Sequence, residues 1–351
     1  MLDESAIPVA GVLEEDSVSL GPLLGKTVAV LGYGNQGHAH ALNLRDSGID
    51  VVVGARSEGR GASRARDDGF SPLPVAEAAA AGDIVMMMLP DEVQKRVFAE
   101  EVEPYLRPEA AIGFAHGFAL AFGLITPDPG RRCFLAAPKG QGDMLREAYL
   151  GGGGLPGLLA VSARSPEETW GLAAAYCKAV GCLRGGGFPT TFRQECIADQ
   201  FGEQVVLCGG LVELVRAAYE TLVERGYAEQ NAYFECVHEV KLIADLIHRE
   251  GVDGMRKLIS PTAAYGGLTR GPRLVDGRTR AEMGRILDEI ESGAFATEFL
   301  EDSERPVGAS ELEDLRAAEA ASGLIATGRS LKSRLDALGL DGNRSRGGKD
   351  E

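Results

Sequence analysis

The sequence predicts a chain in two parts, a doubly wound α/β domain followed by an all-helical one. Three observations carry that prediction. Between Lys26 and about Leu183, short apolar runs alternate with amphipathic stretches, the pattern of buried parallel strands joined by helices. A glycine-rich turn, Gly32-Tyr33-Gly34-Asn35-Gln36-Gly37, directly follows the first of those runs. From about Thr190 the strand signal fades and apolar residues recur at helical spacing, as in the stripe Val240, Ile243, Leu246 and Ile247.

Taken in order, residues 1–20 read as a loosely attached acidic extension; without a basic start and an apolar run they are no signal peptide. Residues 21–189 form the α/β domain. KTVAVLG, DVVVGA, DIVMMMLP, AAIGFAHG, CFLAAPKG and GLLAVSA are its expected parallel strands, and the glycine run Gly151–Gly154 is a loop inside it. Residues 190–335 form the helical domain, and the polar segment 336–351 is expected to be disordered.

With 351 residues, 44% hydrophobic and 25% charged, the composition is that of an ordinary globular protein. A net charge of -16 offers no basic field to nucleic acid or to an anionic membrane, so neither is an expected partner. No apolar run is long enough to span a bilayer. The six cysteines form no CxxC pair and read as reduced thiols, which points to the cytoplasm.

The turn Gly32–Gly37 is GxGxxG between a strand and a helix, the dinucleotide-binding fingerprint of a Rossmann domain. Its glycines allow a tight turn, a close approach to pyrophosphate and helix-on-strand packing. An NAD site usually ends the second strand on an acid that holds the ribose diol. Here that strand runs into Arg56-Ser57-Glu58-Gly59-Arg60, where two arginines offer forks to a 2′-phosphate. NADPH is therefore the expected cofactor, with NADH left open by Glu58.

Four carboxylates downstream fall into two i, i+4 pairs, Asp199/Glu203 and Glu235/Glu239. Residues four apart share a helix face, and such an oxygen-rich set suits Mg²⁺. His116 and Lys139 follow expected strands, at the end of the sheet where open α/β proteins bind ligands.

GYGNQGHAHALNLRDSG, LPDEVQ, FAHGF, APKG, TTF, FGEQVVLCGGL, YFECVHEVKLIADLI and TRGPR together resemble class I ketol-acid reductoisomerase, from about Leu24 to about Phe299. The resemblance implies an N-terminal Rossmann domain and a knotted, 6-phosphogluconate-dehydrogenase-like helical domain. It also implies two Mg²⁺ ions, NADPH and a homodimer with shared active sites. The implied reaction is alkyl migration and then hydride transfer, taking 2-acetolactate or 2-aceto-2-hydroxybutyrate to the 2,3-dihydroxy acids of branched-chain amino-acid biosynthesis. By position, Asp199 and Glu203 match one pair of metal ligands, and Glu235 and Glu239 the pair supplied by the neighbouring subunit. His116, Lys139 and Glu239 match catalytic positions, with Glu239 the proton handler and Lys139 set beside Asp199. Pro90 and Gln94 match a second cofactor segment. Ser260 matches a contact to the substrate carboxylate, and Cys208 a wall of the pocket.

The chain also departs from the family pattern. APKGPGH becomes APKGQGD at Gln141 and Asp143, HGFN becomes HGFA at Ala119, and SNTAEYG becomes SPTAAYG at Pro261 and Ala264. Glycines stand at Gly59 and Gly61 where the phosphate loop usually carries serines. The four acids are kept while the pocket differs, so the alternative is a paralogue acting on a related 2-hydroxy-3-keto acid in a specialised pathway.

Overall fold

A computed structural model of the chain describes residues 11–337. It divides into two units, Met1–Asp199 and Gln200–Glu351.

In the first unit, β1 (Thr27–Leu31), α1 (Asn35–Asp46), β2 (Asp50–Gly54), α2 (Arg60–Asp67), α3 (Val75–Ala81) and β3 (Ile84–Met87) build the dinucleotide half. Then follow α4 (Asp91–Val97), β4 (Ala111–Phe114), α5 (Phe118–Ala121), β5 (Cys133–Pro138), α6 (Gly142–Leu150), β6 (Gly157–Val161), α7 (Thr169–Ala179) and β7 (Gly187–Pro189). The seven strands lie in the order β2-β1-β3-β4-β5-β6-β7. Strands β3, β4 and β5 are buried throughout, which is why their sequences read as unbroken apolar runs rather than as alternation. Two apolar clusters fill the faces, one including Val28, Val30, Ile84, Met86 and Tyr176, the other Leu31, Val85, Phe114, Leu135 and Phe192.

The order reverses at β1, whose neighbours are β2 on one side and β3 on the other. At such a switch point the loops leaving adjacent strands diverge and open a crevice at the carboxyl end. Gly32–Gly37 leaves β1 there, and Leu89-Pro90 leaves β3.

Several expectations require correction. GLLAVSA forms β6 as expected, but it pairs antiparallel to β5, with Pro138 opposite Gly157. The connection through α6 starts and ends at the same end of the sheet. Gly152, at φ 77°, turns the chain back, and the Lys139 N–H donates to the Pro156 carbonyl at 2.8 Å. A seventh strand, β7, lies parallel to β6 within the segment that reads by sequence as the domain junction. The N-terminal extension is also not loose from Gly11 onward. Leu13 and Gly187 exchange backbone hydrogen bonds at 2.7 and 2.8 Å, and the Lys178 ammonium donates to the Glu15 and Val18 carbonyls.

Helix α8 (Phe192–Gly202) leads out of the first unit. The second unit is helical: α9 (Gly210–Glu224), α10 (Glu229–Tyr233), α11 (Glu239–Leu258), α12 (Pro261–Leu274), α13 (Gly277–Ser292), α14 (Ala294–Ser303), α15 (Glu311–Ala320) and α16 (Gly323–Ala337). Helix α11 bends at Gly251, whose φ of 70° leaves the helical region. The expected tail begins two residues too early, since α16 runs through Ala337; its remainder lies outside the described residues.

Candidate active site

The fingerprint glycines are dictated by contact. A Cβ on Gly32, at φ 99°, would stand 2.5 Å from the Met88 carbonyl oxygen, and one on Gly37 would stand 2.1 Å from that of Gly32. Gly34 has open space where a side chain would be, leaving its backbone accessible. Tyr33 turns its ring into the core against Phe70 and donates from its hydroxyl to Asp68 at 2.9 Å, so its backbone, not its phenol, faces the crevice. Gln36 and Gln94 each spend their amide NH₂ on a backbone carbonyl, of Gly140 and Leu89. Their buried amide oxygens have no partner among the described residues. A dinucleotide, rich in hydroxyl and amide donors, fits such orphaned acceptors. Arg56, Ser57, Glu58 and Arg60 are exposed at the tip of β2 and the start of α2.

Along the same edge, β4 and β5 deliver His116 and Lys139, and α8 passes close to both. The Lys139 ammonium donates to Glu195 Oε1 and Asp199 Oδ1, each at 2.9 Å. His116 Nδ1 lies 3.2 Å from Glu195 Oε2 and 3.6 Å from Asp199 Oδ2. The Gly117 N–H donates to Glu195 Oε2 at 2.8 Å. Gly117 must be glycine, because a Cβ would stand 2.2 Å from the Phe192 carbonyl oxygen.

Glu195 is the residue the sequence reading missed. It is 1% exposed and both its oxygens are occupied. The missed signal was the spacing already used: Glu195 lies four residues before Asp199, on the same face of α8. His116, Glu195 and Asp199 bring possible ligand atoms within 4.8 Å of one another. With the Lys139 ammonium among them, however, the group is an ion-pair network. Asp199, which is partly exposed, is its outlet toward a ligand.

Charge follows this geometry. Burial works against protonation of Lys139, but the Glu195 and Asp199 carboxylates outweigh it and hold the ammonium above its ordinary value. Burial likewise opposes a charged His116, yet contacts with Cys196 and Glu195 push it up to about 11. Glu195 is raised by burial and lowered further by His116 and Lys139, for a net fall. A raised histidine stabilises fully below its unfolded value and loses that contribution as pH climbs toward its folded one. A lowered carboxylate stabilises above its unfolded value and loses it on acidification. The network should therefore stabilise most between about pH 4.3 and 6.5. In chelator, the Tm advantage of the wild type over Glu195→Gln is expected to peak there; an advantage that grows from pH 7 to 9 contradicts the pairing.

The other expected site residues lie in the second unit. A π-helical turn touches each carboxylate pair. Glu203–Leu207 and Phe234–His238 are π-helical turns, the first closed by the Cys208 N–H donating to the Glu203 carbonyl at 2.7 Å. Glu203 opens one such turn, Glu235 lies within the other, and Glu239 follows it at the start of α11. The regular α-helix that the i, i+4 reading supposes is thus replaced by a wider turn between Glu235 and Glu239, whereas Asp199 lies in the α-helix that ends at Gly202, just before Glu203; such turns recur at functional sites. Cys208 is exposed at the end of the first turn. Ser260 caps α12, accepting from the Ala263 N–H at 3.1 Å.

Residues 22–186 match the family of the acetohydroxy acid isomeroreductase NADPH-binding domain, and residues 192–336 that of the ketol-acid reductoisomerase C-terminal domain. The chain belongs to the ketol-acid reductoisomerase family. It is an oxidoreductase of that type, built as a Rossmann domain followed by a helical one. Its fold and sequence are similar to those of an NADH-preferring ketol-acid reductoisomerase from an uncultured archaeon. The two share 39% identity over 92% of this chain and 98% of that one, with a TM-score of 0.89. A semialdehyde dehydrogenase NAD-binding protein from Cupriavidus necator, at 23% identity and a TM-score of 0.58, covers 76% of this chain and 97% of its own and shares the fold alone. Among the described residues, no helix is long and apolar enough to cross a membrane.

Proposed function

We propose that the chain carries out Mg²⁺-dependent isomeroreduction of 2-acetolactate and 2-aceto-2-hydroxybutyrate in branched-chain amino-acid biosynthesis, as a cytoplasmic homodimer. The observation that carries this reading is the presentation of Asp199 by a charged network at the carboxyl end of the sheet. Asp199, Glu203, Glu235 and Glu239 would hold two Mg²⁺, since hard cations take carboxylate oxygens. Bound there, the metals would supply Lewis acidity to the hydroxyl and ketone oxygens of the substrate, and the nicotinamide would supply hydride. Lys139 holds Asp199 in place by its hydrogen bond, and its third N–H is available to a substrate oxygen. Glu239 accepts the substrate hydroxyl proton and returns one to the product. Ser260, whose oxygen serves as a helix cap, still has a hydroxyl hydrogen to donate to the substrate carboxylate.

Pro261, one of the departures from the family pattern, sits at the first turn of α12, where the missing N–H costs nothing. Ala264 removes a carboxylate near Ser260 and supports the second reading, a related 2-hydroxy-3-keto acid as substrate. Cofactor oxidation with 2-acetolactate and with 3-hydroxy-3-methyl-2-oxobutyrate, each with and without Mg²⁺, tests the first. Turnover of both only with Mg²⁺ is expected; turnover of the second substrate alone would leave a reductase without the isomerisation.

What the second unit leaves uncovered supports the homodimer. Its buried apolar side chains are few, among them Tyr219, Met255 and Ile290, whereas Leu207, Leu214, Leu242, Leu258, Leu268 and Leu274 are exposed. Apolar surface on that scale needs a partner. A second copy that supplies Glu235 and Glu239 would cover it.

Cofactor preference rests on the exposed loop after β2. Arg56 and Arg60 favour NADPH, and each charge-assisted bond to a 2′-phosphate contributes about 1.5–3 kcal/mol. Glu58 and the preference of the archaeal relative favour NADH. With the arginines decisive, kcat/KM favours NADPH by about a hundredfold and Arg60→Ala removes most of that. Equal values in the wild type would give the choice to Glu58.

A further inference from the structure

The turn that carries Lys139 is fastened to the dinucleotide loop by three side chains in four residues. Asn35 Oδ1 accepts from the Gly142 N–H at 2.6 Å, and Gln36 Nε2 donates to the Gly140 carbonyl at 2.8 Å. His38 Nε2 lies 3.0 Å from Asp143 Oδ1. The fit is close, for a Cβ on Gly142 would stand 1.7 Å from the Asn35 carbonyl oxygen. His38 is buried and its other ring nitrogen, Nδ1, lies 3.1 Å from the Gly34 carbonyl, inside the fingerprint itself. The same Asp143 oxygen accepts from Arg64 at 3.2 Å, drawing in α2, the helix that begins at Arg60.

We propose that Asp143 is a positioning residue, holding the fingerprint loop through His38 and α2 through Arg64, and so setting dinucleotide affinity and the placement of Lys139. Of the three fastenings, it is the one whose contact on the Lys139 turn is a side chain rather than backbone, and so the one a substitution can remove cleanly. Asp143 is 65% exposed, so its ion pairs contribute little to global stability. Its effect is local: without its carboxylate, the His38 ring loses the partner that orients it against the Gly34 carbonyl, and Arg64 is free to move. The inference rests on the reading of this crevice as the cofactor site beside Lys139.

The test uses the full-length protein. Asp143→Ala, Asp143→Asn and Asp143→Glu are each titrated with NADPH and NADH by fluorescence, without substrate, and checked for Tm. Steady-state reduction of 3-hydroxy-3-methyl-2-oxobutyrate in Mg²⁺ follows. Asp143→Ala and Asp143→Asn are expected to weaken both cofactors by about tenfold, the scale of one charge-assisted bond, and to lower kcat. Tm and the KM for the keto acid are expected to stay near wild type, and Asp143→Glu to restore most of the affinity. In a His38→Gln background, Asp143→Asn is expected to add little, because the route through the imidazole is already gone. Cofactor Kd within twofold of wild type in both Asp143→Ala and Asp143→Asn, with Tm unchanged, overturns the proposal. A wild type that binds dinucleotide but reduces no 2-hydroxy-3-keto acid would instead overturn the functional reading, and the binding titration would still decide on Asp143.

Discussion

Asp199→Asn is expected to abolish turnover of 2-acetolactate in Mg²⁺, by about a thousandfold or more, while leaving NADPH binding intact. Lewis-acid stabilisation of this kind contributes several kcal/mol to the transition state, and a neutral amide is a poor ligand for a hard cation. The substitution is isosteric, and Asn still offers Lys139 an oxygen, so the first unit should fold. Glu235→Gln should fail in the same way. If two copies share each site, mixing the two inactive variants should restore part of the activity through hybrid sites. Full activity in Asp199→Asn would remove the residue from the metal set, and no recovery after verified subunit exchange would assign all four ligands to one chain.

The second large effect belongs to Glu195. Glu195→Ala would leave the Lys139 ammonium and a protonated His116 with the partly exposed Asp199 as their remaining carboxylate, and would leave the Gly117 N–H unpaired. Breaking a buried pair in this way costs about 3–5 kcal/mol. A denaturant midpoint lowered accordingly, together with lost activity, is expected, whereas Glu195→Gln should retain more stability than Glu195→Ala because it keeps an acceptor for Gly117. An unchanged midpoint in Glu195→Ala would show that the network contributes nothing to folding.

Much of the α/β unit was legible because its strands are buried on both faces, which writes them as continuous apolar runs. The direction of β6 was not, since an apolar run carries no sign for parallel or antiparallel pairing. That was set by the turn at Gly152 and the excursion through α6. Strand β7 was hidden because three residues, Gly-Phe-Pro, carry neither a run nor an alternation. At the site, His116, Lys139 and Asp199 could be placed because strand ends and helical spacing are periodic properties. The π turns at Glu203 and Phe234 could not, because such a turn depends on which carbonyl an N–H selects, and side-chain pattern does not record that choice. Glu195 stands at the same i, i+4 spacing before Asp199 as Asp199 does before Glu203, so its place on that face is legible in the sequence.

Each margin of the sheet is capped by an isolated bridge. Beyond β2, Gly54 is bridged to Leu73, and beyond β7, Leu13 is bridged to Gly187 in a strand only three residues long that ends in Pro189. Exposed strand margins recruit other chains into fibrils, and short, proline-ended or covered ones resist this. The margins of the α/β unit, as far as the described residues go, are therefore poor templates for uncontrolled growth. Removing the stretch around Leu13 would uncover the β7 margin, and the cost would appear as precipitation during expression or storage rather than as weaker cofactor binding.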